Sequence, residues 1–337
     1  YQSCLGFQPI AYQGLETGNR EKVSYVLKQN QVWFVLSSPL RPGTEIGKHI
    51  DEHGDGVKDI SFSVDSAEKA WKATTHNGAE SVLKPTLIED EKGEAIISTI
   101  KTYGDTTHTF IERNNYRGVF LPGYKVMDID SVAEPTGIVH VDHVVGNQPK
   151  GDMTSVCNFY EKVFGWHRFW SVDDKDVSTE YSSLQSIVMA NDNEKIKMPI
   201  NEPADGLKKS QIQEFIESYT GPGVQHIAMS TRDIISTVTK LRNNGVEFLS
   251  TPKTYYDTLK SRVNEFEEDI NILSELGILV DCDENGYMLQ IFTKPIQDRP
   301  TLFFEIIQRK GSNSFGKGNF RALFESIERE QALRGNL

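Results

Sequence analysis

The chain has 337 residues, of which 37% are hydrophobic and 25% are charged, a composition typical of a soluble globular protein with room for two domains. No apolar run approaches the length of a membrane span, and the formal net charge of −12 without a basic arm argues against nucleic acid as a partner. Three scattered cysteines (Cys4, Cys157 and Cys282) do not form a disulfide framework, so we expect a cytoplasmic protein.

Two stretches of the chain follow the same pattern. Residues 56–64 and residues 223–231 each read as a strand, and each is followed by an amphipathic helical pattern. Both helical patterns end in an Asn-Gly turn, at Asn77-Gly78 and at Asn244-Gly245. Three further strand-like segments follow each helix, so the repeated unit is predicted to be βαβββ.

A second pair of segments also matches. Residues 1–7 resemble residues 160–166, and both read as the end of a helix that stops at a glycine, Gly6 or Gly165. A strand at 138–145 and a helix starting near Asp152 come before the second segment, whereas the chain starts at Tyr1 without a methionine. We therefore expect that the first unit lacks its opening strand and most of its helix, and that the N-terminus is truncated.

The repeats predict an α+β fold of four βαβββ units, at roughly 1–50, 56–115, 138–200 and 224–309. Because one such unit is too small to bury its sheet, the units are expected to pair into two similar half-open barrel domains, 1–137 and 138–337. The Pro- and Gly-containing stretch from Ser131 to Gly137 is the expected joint. Residues 319–334 follow the glycine-rich Gly316-Lys317-Gly318 and have apolar side chains at helical spacing, which predicts a tail helix that closes a pocket as a lid.

Three strand-like segments of the second half each carry a polar side chain that does not suit a core. His143 lies among valines in 139–145, His226 lies in the apolar run 224–229, and Glu305 lies in the middle of 301–309. A lone histidine in a strand is usually a hydrogen-bonded core residue, and a buried carboxylate needs a partner. Two imidazoles and one carboxylate on three strands are also the ligand set of the 2-His-1-carboxylate triad, and their matching positions in repeated units favour a metal site.

The first half differs at the corresponding positions. Asp59 stands where the second half has His226, and Glu112 stands near the equivalent of Glu305. No second histidine can be placed, because the strand that would carry it is absent. We therefore predict that the first domain is structural and that the second binds the metal.

Paired βαβββ units with this triad resemble the vicinal oxygen chelate superfamily, and within it the 4-hydroxyphenylpyruvate dioxygenase family. The resemblance covers essentially the whole chain and is densest after residue 138. It rests on these segments, read from the sequence: 141–147 (VDHVVGN), 199–203 (PINEP), 209–213 (KSQIQ), 225–228 (QHIA), 255–257 (YYD), 289–295 (LQIFTKP), 304–309 (FEIIQR) and 315–320 (FGKGNF).

The resemblance implies an enzyme of tyrosine and phenylalanine catabolism with one Fe(II) per chain, held by His143, His226 and Glu305. Such an enzyme uses O2 to convert the α-keto acid 4-hydroxyphenylpyruvate to homogentisate and CO2, by oxidative decarboxylation, ring hydroxylation and side-chain migration. A homo-oligomer, dimer or tetramer, is expected.

The resemblance also implies roles for eight further side chains. Polar groups that orient the substrate are expected from Ser186, Asn201, Gln211 and Gln290. Substrate contacts are expected from Gln225, Phe292, Phe315 and Phe320. Amides suit a phenol because they donate and accept hydrogen bonds without adding charge. Gln290 and Phe292 lie two residues apart on one strand, so both can face one ligand.

Three other functions are also compatible with the sequence. Hydroxymandelate synthase has the same iron, ligands and substrate but hydroxylates the benzylic carbon. A metal-free binding protein on the same scaffold would not need the triad. An extradiol ring-cleaving enzyme would act on catechols.

Overall fold

The computed structural model describes residues 1–129, 132–172, 183–263 and 266–335 of the chain. Within these ranges, strands form three sheets and helices cover their faces. The helices are α1 Glu45–His53, α2 Ala67–His76, α3 Met153–Phe164, α4 Gln211–Tyr219, α5 Ile234–Asn243, α6 Lys253–Asp257, α7 Leu259–Arg262, α8 Ile270–Leu276 and α9 Phe320–Leu333. In the described part of the chain, no helix has both the length and the apolar character needed to cross a membrane.

The first half of the chain contains two four-stranded sheets. Their orders are β3-β2-β1-β8 and β4-β7-β6-β5. The strands are β1 Gln8–Gln13, β2 Lys22–Gln29, β3 Val32–Pro39, β4 Phe62–Ser63, β5 Ser81–Asp90, β6 Gly93–Lys101, β7 Thr107–Glu112 and β8 Lys125–Val126. The second sheet with α2 is the predicted βαβββ unit, and the first sheet contains the three strands that were predicted for the incomplete unit.

The second half of the chain forms one eight-stranded sheet, in the order β10-β11-β12-β9-β13-β16-β15-β14. Its strands are β9 Ile138–Asn147, β10 His167–Val172, β11 Ser183–Ala190, β12 Lys197–Ala204, β13 Gly223–Thr231, β14 Leu279–Asp283, β15 Gly286–Phe292 and β16 Phe303–Lys310. Each βαβββ unit supplies four adjacent strands, and the units join where β9 and β13 pair antiparallel. The sheet therefore has a seam at its centre, with one unit on each side.

The predicted helix stops lie where the sequence placed them. The last residues of α2 and α5 are followed by Asn77 and Asn244, whose backbone N–H groups donate to helix carbonyls. Gly78 and Gly245 follow with φ of 107° and 90°, a conformation that glycine adopts without steric cost. The sequence did not predict α6, α7 and α8, which lengthen the connection between α5 and β14.

The two halves share a continuous apolar core. In the first half, Tyr1 and Phe34 pack on Phe304 of β16, with ring centroids 6.0 Å and 5.8 Å away. The predicted joint begins at Ser131, outside the described residues, and its end is tied to the first sheet. There the Gln29 side chain accepts hydrogen bonds from the backbone N–H of Gly137 at 3.0 Å and of Ile138 at 3.1 Å.

The predicted tail helix is α9, which begins at Phe320 and ends at Leu333. Ala322, Leu323 and Ile327 on this helix are buried in the main core. At its far end, Arg334 forms an ion pair with Glu214 of α4 at 2.8 Å. The helix therefore packs against the second half of the chain, next to α4.

Candidate metal centre

The register of the three central strands explains why distant residues meet. His143 on β9 and Glu305 on β16 both pair with Ala228 of β13, one from each side. Residues that pair across strands point to the same face of a sheet, and His226 lies two residues before Ala228 on that same face. The sequence predicted three strands with one polar group each, and the sheet order makes those strands neighbours.

The side chains of the three residues converge at one point. Oε2 of Glu305 lies 3.2 Å from Nε2 of His143 and 3.4 Å from Nε2 of His226. The candidate ligand atoms all lie within 4.8 Å of one another. The exposed fractions of these three residues are 5%, 8% and 3%, so an ion held there would be nearly removed from solvent.

Burial and mutual charge set the protonation of this cluster. Burial raises the pKa of Glu305, but the nearby imidazoles of His143 and His226 outweigh it and lower this pKa to about 2. Burial is also the largest effect on His226, and it lowers the pKa of that imidazole, so the ring stays neutral with a lone pair available. For His143, the carboxylates of Glu305 and Asp142 outweigh burial and raise the pKa. A divalent cation bound between the three side chains would have the opposite effect and favour the unprotonated form of His143.

Each histidine is oriented by a partner on its far ring nitrogen. Nδ1 of His143 lies 2.8 Å from Oδ1 of Asp142, and Nδ1 of His226 lies 3.0 Å from Oε1 of Gln225. Because a carboxylate and an amide oxygen accept hydrogen bonds, each Nδ1 carries the proton and each Nε2 is left facing Glu305. Such outer partners fix the tautomer and the ring orientation of metal-binding histidines.

Asp142 is held in turn by Arg309, for which the sequence predicted no role. Nε and Nη2 of Arg309 donate to the two oxygens of Asp142 at 2.8 Å and 2.9 Å. Burial raises the pKa of Asp142, but hydrogen bonds from His143 and Arg309 hold it well below its usual range. Arg309 also donates to the carbonyl oxygens of Ser312 and Ser314, so one guanidinium connects the His143 ring to the segment before α9.

A cavity opens beside the three candidate ligands. The space between its lining atoms, including the part open to solvent, is about 540 Å³, within the range of small-molecule sites. Most of the residues predicted for the substrate line it together with the three candidate ligands: Ser186, Asn201, Gln211, Gln225, Phe292, Phe315 and Phe320. Trp170 lines it as well and lies 5.8 Å from Phe315 and 6.0 Å from Phe320, a contact that the sequence did not reveal.

Gln290 is the predicted site residue that does not line the cavity. It is 1% exposed, and its Oε1 has no hydrogen-bond partner among the residues that the structure describes. The backbone of Gly316 lies against its amide, so that a Cβ at Gly316 would come within 2.6 Å of Oε1. Phe292, two residues along the same strand, does line the cavity, and a substrate contact by Phe292 or by Gln290 stays a prediction.

The corresponding acidic residues of the first half have protein partners. Oδ2 of Asp59 accepts hydrogen bonds from Thr107 at 2.6 Å and from Thr109 at 2.7 Å. Oε2 of Glu112 accepts the backbone N–H of Ala67 at 2.9 Å, at the start of α2. Both carboxylates thus have roles in holding their own unit together.

A family model and individual relatives resemble this chain. The model described as "Glyoxalase/Bleomycin resistance protein/Dioxygenase superfamily" matches residues 138–289. The 4-hydroxyphenylpyruvate dioxygenase of Xenopus tropicalis is 52% identical, and the alignment covers 100% of this chain and 88% of that protein. The enzyme of the same name from Coccidioides posadasii is 50% identical, with 100% and 90% covered.

A solved structure has the same overall fold. It is a mutant of 4-hydroxymandelate synthase from Streptomyces coelicolor, which superposes with a TM-score of 0.86 at 32% sequence identity. The match covers 98% of this chain and 93% of that one. The paired βαβββ architecture predicted from the repeats is therefore the vicinal oxygen chelate fold.

Proposed function

The chain belongs to the 4-hydroxyphenylpyruvate dioxygenase family, and from this premise we propose that it converts 4-hydroxyphenylpyruvate and O2 to homogentisate and CO2 in tyrosine and phenylalanine catabolism. The observation that carries the proposal for this chain is the meeting of His143, His226 and Glu305 within 4.8 Å in the wall of the cavity. A binding protein that uses no metal would gain nothing from placing a buried carboxylate between two imidazoles.

The donor set fits Fe(II). Two imidazole nitrogens and one carboxylate oxygen, from His143, His226 and Glu305, would hold the ion and leave positions for the substrate and O2. When bound, the ion supplies a Lewis acid that chelates the keto acid and a reductant that activates O2. With Fe²⁺ and one carboxylate the centre would have a charge of about +1, which would attract an anionic keto acid despite the net charge of −12 on the chain.

The remaining cavity residues would bind and orient the substrate. Amides of Asn201, Gln211 and Gln225 can hydrogen-bond the phenol and the polar end of the keto acid without adding charge. Nε2 of Gln225 donates to Oε1 of Gln211 at 3.4 Å, so the two amides are positioned together. Ser186 would add a hydroxyl, and Gln290 would join after a shift of the Gly316 backbone.

Aromatic side chains would hold the ring and exclude water. Phe315 lies edge-on to His143 with ring centroids 5.1 Å apart, and Phe292 lies edge-on to His226 at 6.1 Å. Phe320, at the start of α9, also lines the cavity, and its ring centroid lies 6.0 Å from that of Trp170. Holding the substrate ring against the metal in a dry pocket is the main contribution that the protein makes to such a reaction.

We also propose a domain organisation, an oligomeric state and a location for the protein. Residues 138–337 would form the catalytic domain with α9 as its lid, and residues 1–137 a non-catalytic domain. The protein would form a homo-oligomer, a dimer or tetramer, in the cytoplasm, where its three free cysteines stay reduced. Sedimentation of the purified protein tests the oligomeric state.

A matched pair of histidine variants tests the metal site. His143 and His140 lie on the same strand, but Nδ1 of His140 contacts Oγ of Ser230 at 2.7 Å and lies outside the candidate ligand set. We expect His143→Ala to abolish stoichiometric Fe(II) binding, measured by metal analysis after anaerobic loading, and His140→Ala to retain one ion per chain. Equal metal content in the two variants would contradict the assignment.

A second experiment tests the chemistry. Anaerobic addition of 4-hydroxyphenylpyruvate to the iron(II) protein should produce a weak visible charge-transfer band, and admitting O2 should yield homogentisate on chromatography. Absence of the band would argue against chelation of the keto acid. Hydroxymandelate as the product would instead identify the benzylic reaction, which the fold shared with 4-hydroxymandelate synthase makes the principal alternative.

A further inference from the structure

One stretch of the chain is much longer in the fourth unit than in the other repeats. Residues 244–278 separate α5 from β14, whereas only residues 77–80 separate α2 from β5. We call residues 244–278 the fourth-unit insertion. It carries α6, α7 and α8, and α6 contains the Tyr255-Tyr256-Asp257 motif, which neither the repeat pattern nor the metal site explains.

The hydroxyl of Tyr255 connects this insertion to the start of α9. It lies 2.8 Å from the backbone nitrogen of Val280, 2.9 Å from the Val280 carbonyl oxygen and 2.7 Å from Oδ1 of Asn319. The Val280 N–H donates to the hydroxyl, and the hydroxyl donates its single proton to one of the two oxygens. The hydroxyl therefore has no further proton to donate. Asn319 is 0% exposed and immediately precedes Phe320.

Two other contacts join the insertion to the same segment. Nη1 of Arg262 donates to the carbonyl oxygen of Gly318 at 3.1 Å, and its guanidinium lies 4.6 Å above the Tyr255 ring. Six residues after Phe320 along α9, Oγ of Ser326 donates to the carbonyl oxygen of Ser250 at 2.6 Å. The insertion therefore contacts the start of α9 and the stretch before it at separate points on both sides of Phe320.

We propose that Tyr255 is a positioning residue of the substrate cavity, acting through Asn319. The hydroxyl fixes the backbone position from which Phe320 and Leu323 reach the cavity wall. Phe320 packs with Trp170, Leu184 and Ile212, so a displaced helix start would loosen one whole side of the cavity. The inference rests on the proposed function in one respect, that this cavity binds the aromatic keto acid.

The adjacent tyrosine provides a matched control. Tyr256 is also buried, and its hydroxyl donates to the carbonyl oxygen of Ile278 at 3.0 Å. That partner lies inside the fourth-unit insertion. Replacing either tyrosine by phenylalanine removes one buried hydroxyl, but only Tyr255→Phe releases Asn319.

The test compares Tyr255→Phe and Tyr256→Phe in the full chain. With the metal-free protein, limited trypsin digestion followed by mass spectrometry measures cleavage at Lys317, an exposed residue just before α9. We expect Tyr255→Phe to raise that cleavage rate about tenfold and Tyr256→Phe to leave it near the wild-type rate, even if both lower the thermal midpoint. With the iron-loaded protein, Tyr255→Phe should raise the KM for the keto acid several-fold with little change in kcat.

Asn319→Ala removes the same contact without disturbing Val280, and it should reproduce the KM and the cleavage rate of Tyr255→Phe. In the double variant, the KM and the cleavage rate should be no higher than in either single variant, because both substitutions remove the same hydrogen bond between Tyr255 and Asn319. Equal cleavage rates in the two tyrosine variants, or an unchanged KM in Tyr255→Phe, would overturn the proposal. A wild-type protein inactive toward the keto acid would instead refute the proposed function, and the cleavage comparison would still stand on its own.

Discussion

Removing Arg309 tests how the hydrogen-bond partners of the candidate metal ligands work. The ion pair of Arg309 and Asp142 is largely shielded from water, with side-chain exposures of 18% and 9%. Arg309→Met leaves the Asp142 carboxylate buried with His143 as its remaining charged hydrogen-bond partner among the contacts described. Breaking a buried ion pair from one side costs about 3–5 kcal/mol, because the other charge is left uncompensated.

The expected loss can be separated into stability and metal affinity. Urea unfolding of the metal-free protein should give a free energy of unfolding lower by about 3 kcal/mol. Cobalt(II) titration of the folded protein should give an affinity about 10- to 100-fold weaker, because the His143 ring loses its fixed orientation. Arg41→Met, which removes the exposed ion pair with Glu21, is the control and should change neither quantity measurably.

A double variant distinguishes an unpaired charge from lost packing. Asp142→Asn combined with Arg309→Met keeps an oxygen acceptor for Nδ1 of His143 but removes both charges of the Asp142–Arg309 pair. We expect it to recover roughly half or more of the lost free energy of unfolding while its cobalt affinity stays weak. A loss of less than about 1 kcal/mol in Arg309→Met with unchanged cobalt affinity would refute the role given to the ion pair.

Two further changes have expected outcomes. Burial lowers the pKa of His108 from 6.5 to about 4, so the unfolded chain takes up a proton first and the free energy of unfolding falls as the pH drops from about 6.5 to 4. His108→Gln should flatten this dependence in urea unfolding at several pH values, and an unchanged slope would contradict it. Gly316→Ala should push the Gln290 amide away and raise the KM for the keto acid several-fold, since its Cβ would lie 2.6 Å from Oε1. Gly165→Ala, at a similar φ of +69° with no described atom within 4 Å, should leave KM unchanged.

The sequence predicted those features that repeat or conflict with their surroundings. The four βαβββ units were found from matching strand and Asn-Gly patterns, and His143, His226 and Glu305 were found because polar groups interrupt apolar strands. Spacing alone predicted α9 to within one residue at each end, 319–334 against the observed Phe320–Leu333. Local pattern is enough for such features because each is encoded within a few turns or strands.

Features that depend on contacts between distant segments were not predicted. Asp142 and Arg309 are 167 residues apart and each reads as an ordinary strand charge. The contact of the Gly316 backbone with Gln290 depends on how a loop folds over a strand, which periodicity does not encode. Tyr255 stood out in the sequence, but its partner Asn319 becomes visible only once α6 and α9 are placed together.

The seam between β9 and β13 has a consequence for folding. If these strands paired one residue out of step, one imidazole would turn to the opposite face and the three donor atoms would separate. A divalent ion present during refolding would then stabilise only correctly aligned chains, because misaligned ones offer it no complete set of donors. Such an ion would thus favour the correct alignment of β9 and β13 during folding, before any catalytic turnover.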